Sequence, residues 1–237
     1  MPTTLFFDLD DTLWDDGASL HACVMQVCEG LVEHLPPFDA LTLTRDYIAR
    51  SDQYWLSKRW DIELLPDARL QLWTETLALY GCDNPAIALQ TRDAYTAHRE
   101  AFAICYEETQ EVLAGLHRRY RLAAITNGHG ETQRARLHIA GLDSFFDAVV
   151  SATDIDVVKP DPAMFDHALK LVGASAVDTW HIGDSLGSDV AGAHNAGLAG
   201  AVWLNRHGQS RAEADPMPHH EVGSLREFVE LLERSGS

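Results

Sequence analysis

The amino-acid sequence predicts an α/β fold, a doubly wound parallel sheet with an all-helical segment inserted near its start. Three observations carry that expectation. Short, almost continuously apolar runs recur along the chain, helical stretches with Pro at the start and Gly at the end fall between them, and one long segment has helical periodicity but no such run. The length of 237 residues accommodates one large domain, or a core and a smaller insert. An apolar fraction of 46% with 23% charged residues excludes a disordered or fibrous chain.

Taken in order, strands are expected at residues 4–9, 121–126, 148–151, 178–183 and 200–204. Their side chains do not alternate apolar with polar, which is the pattern of strands covered on both faces. Helices are expected at 131–140, stopped by Gly141; at 161–172, with Pro162 in the first turn and Gly173 behind; at 188–196, stopped by Gly197; and at 224–233. This succession gives a Rossmann-like core made of residues 1–14 and 106–237. Residues 15–105 form the insert. Leu20, Val24, Val27 and Leu31, then Leu70, Trp73, Leu77 and Tyr80, recur at helical spacing. Turn signals at Pro36-Pro37, Pro66 and Gly81 to Pro85 divide the segment into about four helices, enough for a four-helix bundle. Because it interrupts the chain between the first two core strands, the bundle is expected above the sheet edge as a lid.

Charge narrows the function. With 18 basic against 36 acidic residues the net charge is -18, which opposes nucleic acid and anionic membrane as partners. The start has no positive n-region, and no run approaches the roughly 20 apolar residues of a bilayer span. A soluble cytoplasmic protein is expected. Cys23, Cys28, Cys82 and Cys105 lack Cys-x-x-Cys spacing and read as thiols rather than a disulfide scaffold. The 12 histidines are scattered, with only His219-His220 adjacent, in a Pro-flanked loop.

Chemistry-bearing residues gather where strands end. The first strand runs out at Asp8-Leu9-Asp10-Asp11-Thr12, and positions two apart on a strand share a face, with Cα atoms roughly 6.5–7 Å apart. Such a pair of acids suits a nucleophile beside a proton donor and acceptor, and equally a solvated acidic turn or a helix N-cap. The second strand ends in Ile125-Thr126-Asn127-Gly128, which is also ordinary turn chemistry. Lys159, one of three lysines in the chain, precedes Pro160-Asp161-Pro162 after the third strand, and suits phosphate binding as well as simple exposure. The fourth strand leads into Gly183-Asp184-Ser185-Leu186-Gly187-Ser188-Asp189, whose acids match the oxygen ligands that a hard ion such as Mg²⁺ takes. Ligands of open α/β sheets bind beyond the carboxyl ends of the strands, and all four segments arrive at that edge.

Together, in this order and spacing, the four segments resemble the motifs of the haloacid dehalogenase-like hydrolase superfamily. The insert is similar to the family's helical type-1 cap. Ile125-Thr126-Asn127-Gly128, Asn195-Ala196-Gly197-Leu198 and Trp203-Leu204-Asn205 look nearest to its nucleotidase-like and phosphoglycolate phosphatase-like branches. The resemblance implies that Asp8 attacks phosphorus and becomes an aspartyl-phosphate. Asp10 then protonates the leaving oxygen and activates the hydrolytic water. Thr126 and Asn127 bind the phosphoryl group, and Lys159 holds nucleophile and phosphoryl together. Mg²⁺ is bound by the Asp8 carboxylate, the Asp10 main-chain carbonyl and Asp184, with Asp189 a supporting or additional acid. An anionic nucleophile approaches an anionic phosphate only when cationic charge offsets the repulsion, so Lys159 and the metal are needed together. The family's dehalogenases lack the second aspartate, so Asp10 argues for phosphoryl chemistry. One departure is Tyr106-Glu107-Glu108-Thr109, where many relatives re-enter the core through a Pro-Gly turn.

The implied substrate is a small phosphorylated metabolite, a nucleoside monophosphate or a phosphoglycolate-like compound, handled by a monomer or homodimer. A sugar-phosphate mutase of the β-phosphoglucomutase type is the alternative, and a non-catalytic binding protein a third. In the insert, Tyr47, Tyr54, Trp55, Trp60, Trp73, Tyr80 and Tyr95 are expected to fill the bundle core rather than stack a base. Its basic residues include Arg45, Arg50, Lys58, Arg59, Arg69, Arg92 and Arg99, any of which is a candidate for a substrate anion. His129 and Arg206, both near strand ends, are further candidates for substrate contact.

Overall fold

A computed structural model describes residues 1–31, 38–58 and 65–235. Six strands form a single parallel sheet in the order β3-β2-β1-β4-β5-β6. These are β1 (Thr4–Phe7), β2 (Arg121–Thr126), β3 (Ala148–Ser151), β4 (Thr179–Gly183), β5 (Gly200–Leu204) and β6 (His220–Val222). In β1 all four residues are buried, and successive side chains serve opposite faces. Phe6 joins a core with Ile125, Val150, Phe165 and Val190, while Phe7 meets Phe146 and Phe228 edge-on at 6.3 and 6.0 Å. Both faces of the sheet are therefore apolar. That is why its strands read as continuous runs in the sequence.

β1 pairs with β2 on one side and β4 on the other, so the order reverses beside it. At such a switch point the connecting helices diverge and leave a crevice beyond the strand ends. The register places Phe7 opposite Ala124 and Ile182, Thr126 opposite Ser151 and Gly183 opposite Trp203. Asp8, Thr126 and Asp184 thus leave the sheet at one edge.

Of the core helices, α8 (Pro162–Val172) starts on Asp161, whose carboxylate accepts from the Ala163 N–H at 2.9 Å, and stops at Gly173 with φ 63°. Both ends follow from sequence punctuation. The helix expected at 188–196 is divided. Leu186–Val190 makes a wide π turn and only Ala191–Asn195 (α9) is α-helical. Ser185 causes this, since its hydroxyl accepts from the Ser188 N–H at 3.2 Å while its own N–H donates to Asp189 at 3.1 Å. His220 opens β6 rather than lying in a loop, because a three-residue edge strand is too short to show a period.

The core unit comprises Met1–Asp15 and Ile104–Ser237, and the second unit Asp16–Ala103. Asp15, Ile104 and Cys105 stay with the core because the Asp15 N–H donates to the Ile104 carbonyl at 3.0 Å and Trp14 bridges to Cys105. The second unit holds α1 (Asp16–Glu29), α2 (Ala40–Lys58), α3 (Leu65–Leu79) and α4 (Pro85–Ala101). Its interior gathers Val24, Val27, Leu43, Leu72 and Leu77 around Tyr47 and Trp73, which stack at 3.9 Å, with Tyr95 beside them. Among the described aromatic side chains, Tyr47, Trp73 and Tyr95 are core and Tyr54 and Tyr80 pack against it. Pro36-Pro37, Arg59 and Trp60 lie outside the described residues, as do the side chains of Trp55 and Lys58. Arg50 pairs with Glu75, Arg92 with Asp93 and Arg99 with Asp16, and Arg69 lies over the Tyr95 ring. All four cysteines are thiols, outside any disulfide. No helix among the described residues is long and apolar enough to cross a membrane.

Candidate active site

β1 gives out at Asp8, whose N–H still donates to the Ile182 carbonyl at 3.0 Å, so its carboxylate stands at the rim of the sheet. Lys159 is no surface lysine. Its side chain is 2% exposed, and Nζ donates to Asp8 Oδ1 at 2.5 Å, Asp189 Oδ1 at 2.7 Å and the Ile125 carbonyl at 3.0 Å. Three acceptors around one ammonium fix it.

Asp189 is the brace of this arrangement. Its Oδ1 also lies 2.9 Å from His181 Nε2, and its Oδ2 accepts from Ser185 N–H. Burial pushes its pKa up, but Lys159 and His181 outweigh that and hold the carboxyl well below its usual range. Lys159 is held correspondingly high by Asp189 and Asp8 against its own burial. Burial pushes His181 down, so it is neutral at pH 7 and donates its Nε2 hydrogen to Asp189.

Ligand oxygens of Asp8, Asp184 and Asp189 lie within 4.8 Å of one another. Burial drives Asp8 well above the usual carboxylate range, with Asp189 and Asp184 adding to the shift against Lys159. Asp184 is pushed up to about 7, by burial first and then by Asp189 and Asp11. Three carboxylates around one ammonium leave two negative charges in a place that resists them. An all-oxygen donor set with that excess fits a hard divalent cation. Asp184 is steadied by Trp203, whose indole N–H donates to its carbonyl at 2.8 Å.

Asp10 has different company. Oδ1 accepts from Arg136 Nη1 at 2.7 Å and from the Trp14 indole at 2.8 Å, and Oδ2 accepts from Gln133 Nε2 at 2.5 Å. Its carboxylate stands outside the Asp8, Asp184 and Asp189 cluster, so the metal role expected of Asp10 rests on its main-chain carbonyl. The Thr126 hydroxyl accepts from Gly128 N–H at 3.0 Å and Gln133 Nε2 at 3.1 Å, which leaves its own proton to donate. Asn127 was expected on phosphate. Its side-chain amide braces the Lys159 main chain, accepting from its N–H at 2.7 Å and donating to its carbonyl at 3.2 Å.

Sequence reasoning missed Trp14, Gln133, Arg136 and His181. The buried face of α6 (Gly130–Ile139) consists of Gly130, Thr132, Gln133, Arg136 and Leu137, and long polar residues on a sheet-facing side were the available signal. Arg206 is not open to substrate. It pairs with Glu108 at 2.7 Å, donates to the Thr12 carbonyl at 3.0 Å and lies 3.6 Å over the Tyr106 ring. The unusual Tyr106-Glu107-Glu108 segment is thus half of a clamp, closing on the turn after β1. His129 occupies the N-cap position of α6 without a side-chain capping bond.

Known proteins share this arrangement of fold and sequence. The family model for haloacid dehalogenase-like hydrolases matches residues 2–197. N-acylneuraminate-9-phosphatase from Mus musculus is 30% identical over 234 residues, covering 97% of this chain and 93% of its own. Pyrimidine 5'-nucleotidase YjjG from Escherichia coli is 37% identical over 113 residues, 47% of this chain and 49% of its own. Among solved structures, the HAD-hydrolase YfnB from Bacillus subtilis bound to magnesium superimposes with a TM-score of 0.82 at 24% identity, covering 98% of both chains. With its motifs at the ends of β1, β2 and β4 and a family match over most of its length, the chain belongs to the haloacid dehalogenase-like hydrolases.

Proposed function

We propose that this enzyme is a Mg²⁺-dependent phosphatase that hydrolyses a small phosphomonoester through an aspartyl-phosphate on Asp8. It is a phosphoric monoester hydrolase, and the observation that carries this is the division of labour between Asp8 and Asp10. Asp8 faces a buried ammonium and two further acids, whereas Asp10 is held apart by a guanidinium, an indole and an amide.

Asp8, Asp184 and the Asp10 carbonyl would hold Mg²⁺, which would supply the positive charge that lets two anions meet. In the first step an Asp8 oxygen bonds to phosphorus, the bond from phosphorus to the leaving oxygen breaks, and that oxygen takes the proton of Asp10. In the second, Asp10 takes a proton from water as the water oxygen bonds to phosphorus and the Asp8 oxygen leaves. Asp8 is regenerated, Asp10 is reprotonated, and inorganic phosphate departs. Lys159 keeps Asp8 aimed and neutralises charge on the phosphoryl oxygens, to which the Thr126 hydroxyl donates.

The whole-length similarity to an N-acylneuraminate phosphatase adds a sugar-acid phosphate to the nucleoside monophosphates and phosphoglycolate as substrate classes. A cytoplasmic site of action belongs to the same proposal. The test is phosphate release from these three classes and sugar phosphates, with and without Mg²⁺, beside Asp8→Asn. Metal-dependent release lost in Asp8→Asn supports the reading, and interconversion of sugar phosphates without release replaces it with a mutase.

A further inference from the structure

Asp10 must deliver a proton to one oxygen and take it from another, and this rests on the phosphatase reading above. A carboxylate beyond a strand end has free rotation about two bonds unless something holds it. Here both oxygens are held. Arg136 and Trp14 converge on Oδ1, and Gln133 reaches Oδ2. The holders are themselves fixed. Arg136 is 1% exposed, lies 4.5 Å over the Trp14 ring and donates to Gln133 Oε1 at 3.3 Å. Trp14 is fully buried, and its main chain bridges to Asp10 on one side and Cys105 on the other. Gln133 joins Asp10 to Thr126 by donating to both.

Burying a guanidinium is costly unless it is paired, so this is an expensive way merely to fill space. A Leu or Met at position 136 would pack the same face of α6. We infer that Gln133, Arg136 and Trp14 are positioning residues for Asp10, setting its carboxylate where leaving oxygen and water arrive in turn and tying that position to the Thr126 hydroxyl. None of the three need touch substrate.

The test uses two substrates of similar shape and unlike need for a proton. Benzyl phosphate releases an alkoxide that must be protonated, whereas p-nitrophenyl phosphate releases a stable phenolate. Arg136→Lys, Gln133→Met and Trp14→Phe are each made in the parent and in Asp10→Asn. Misplacing Asp10 is expected to lower kcat on benzyl phosphate about 10- to 100-fold with little change in KM. On p-nitrophenyl phosphate the first turnover stays near the parent rate while later turnovers slow, because only the water step then needs Asp10. In the Asp10→Asn background the same substitutions add no further loss, since no carboxylate remains to be aimed. Equal losses in both backgrounds, or an equal loss of the first turnover on both substrates, would overturn the inference and leave these residues as packing. Asp10→Asn with undiminished turnover of benzyl phosphate would instead remove the acid/base reading and this inference with it. Should Arg136→Lys not fold, Trp14→Phe keeps an aromatic face at that position while removing the indole N–H, and carries the same comparison.

Discussion

Gly183→Ala tests how rigidly the buried charges are braced. Gly183 closes β4 and its α-carbon lies against Asp189, so a Cβ there meets Asp189 Cγ and Oδ2, and its Cβ at 2.7 Å. Carbon atoms rest about 3.5–4.0 Å apart, so something must move. Asp189 cannot yield freely, since Oδ1 holds Lys159 at 2.7 Å and His181 at 2.9 Å and Oδ2 holds the Ser185 N–H at 3.1 Å. Overpacking alone costs about 1–3 kcal/mol. Withdrawing one partner of a buried ion pair costs about 3–5 kcal/mol, reduced here because Lys159 keeps Asp8. About 3 kcal/mol is the expected total, which for a chain of this size lowers Tm by roughly 6–12 °C. Gly187→Ala is the control, four residues on in the same loop, where an added Cβ has nothing within 4 Å. Its effect should stay within about 0.5 kcal/mol. Thermal unfolding of both variants followed by circular dichroism decides the matter. If Gly183→Ala melts with Gly187→Ala, Asp189 adjusts without loss and the bracing argument is wrong.

The Glu108 and Arg206 clamp carries a pH signature. Burial raises the Glu108 pKa, but the Arg206 hydrogen bond and charge together with main-chain N–H donors outweigh it, and the net shift is downward from 4.5. A carboxyl whose pKa is lower folded than unfolded stabilises fully above 4.5 and loses that contribution as pH falls through its folded value. Glu108→Gln should therefore cost about 1–3 kcal/mol near pH 7 and progressively less below 4.5, read as urea midpoints across that range; a gap that does not narrow in acid would refute the pairing. Salt provides a second check. The net charge of -18 repels a phosphate dianion at long range, while the attracting Lys159 is buried and little screened. Raising ionic strength from low to physiological should thus increase kcat/KM about two- to threefold, and a decrease would show that exposed cations steer the substrate.

Much of this was legible in the sequence for a single physical reason. Strands buried on both faces are apolar throughout, so runs at 121–126, 148–151 and 200–204 coincide with β2, β3 and β5, and the first polar residue past such a run marks the functional rim. Asp8, Thr126 and Asp184 stood out on that basis. What stayed hidden depends on tertiary partners. Gln133 and Arg136 are long polar residues on the inward face of a helix, and the partner that explains them, Asp10, lies 123 and 126 residues away. Asp189 stood out as an acid close behind Asp184, but the π turn that aims it inward is set by Ser185 rather than by any periodicity. Arg206 read as a candidate for substrate because nothing local announces Glu108, 98 residues earlier.

The same pairs explain how a chain so rich in acid can handle an acidic substrate. At neutral pH the overall field decays within about 8 Å in physiological salt, so what a bound phosphoryl group meets is set by its immediate neighbours. There the acids do not act as a uniform negative surface. Asp10 is matched by Arg136, Glu108 by Arg206 and Asp189 by Lys159, each pair largely withdrawn from solvent. Asp8 and Asp184 are left in excess over Lys159, and burial disfavours charge on both. A site so arranged gains most from a divalent cation and a phosphate dianion arriving together, because the first offsets its excess of negative charge and the second is attracted by the cation and Lys159 jointly. The arginines neutralise Asp10 and Glu108, so those two carboxylates add little to that excess.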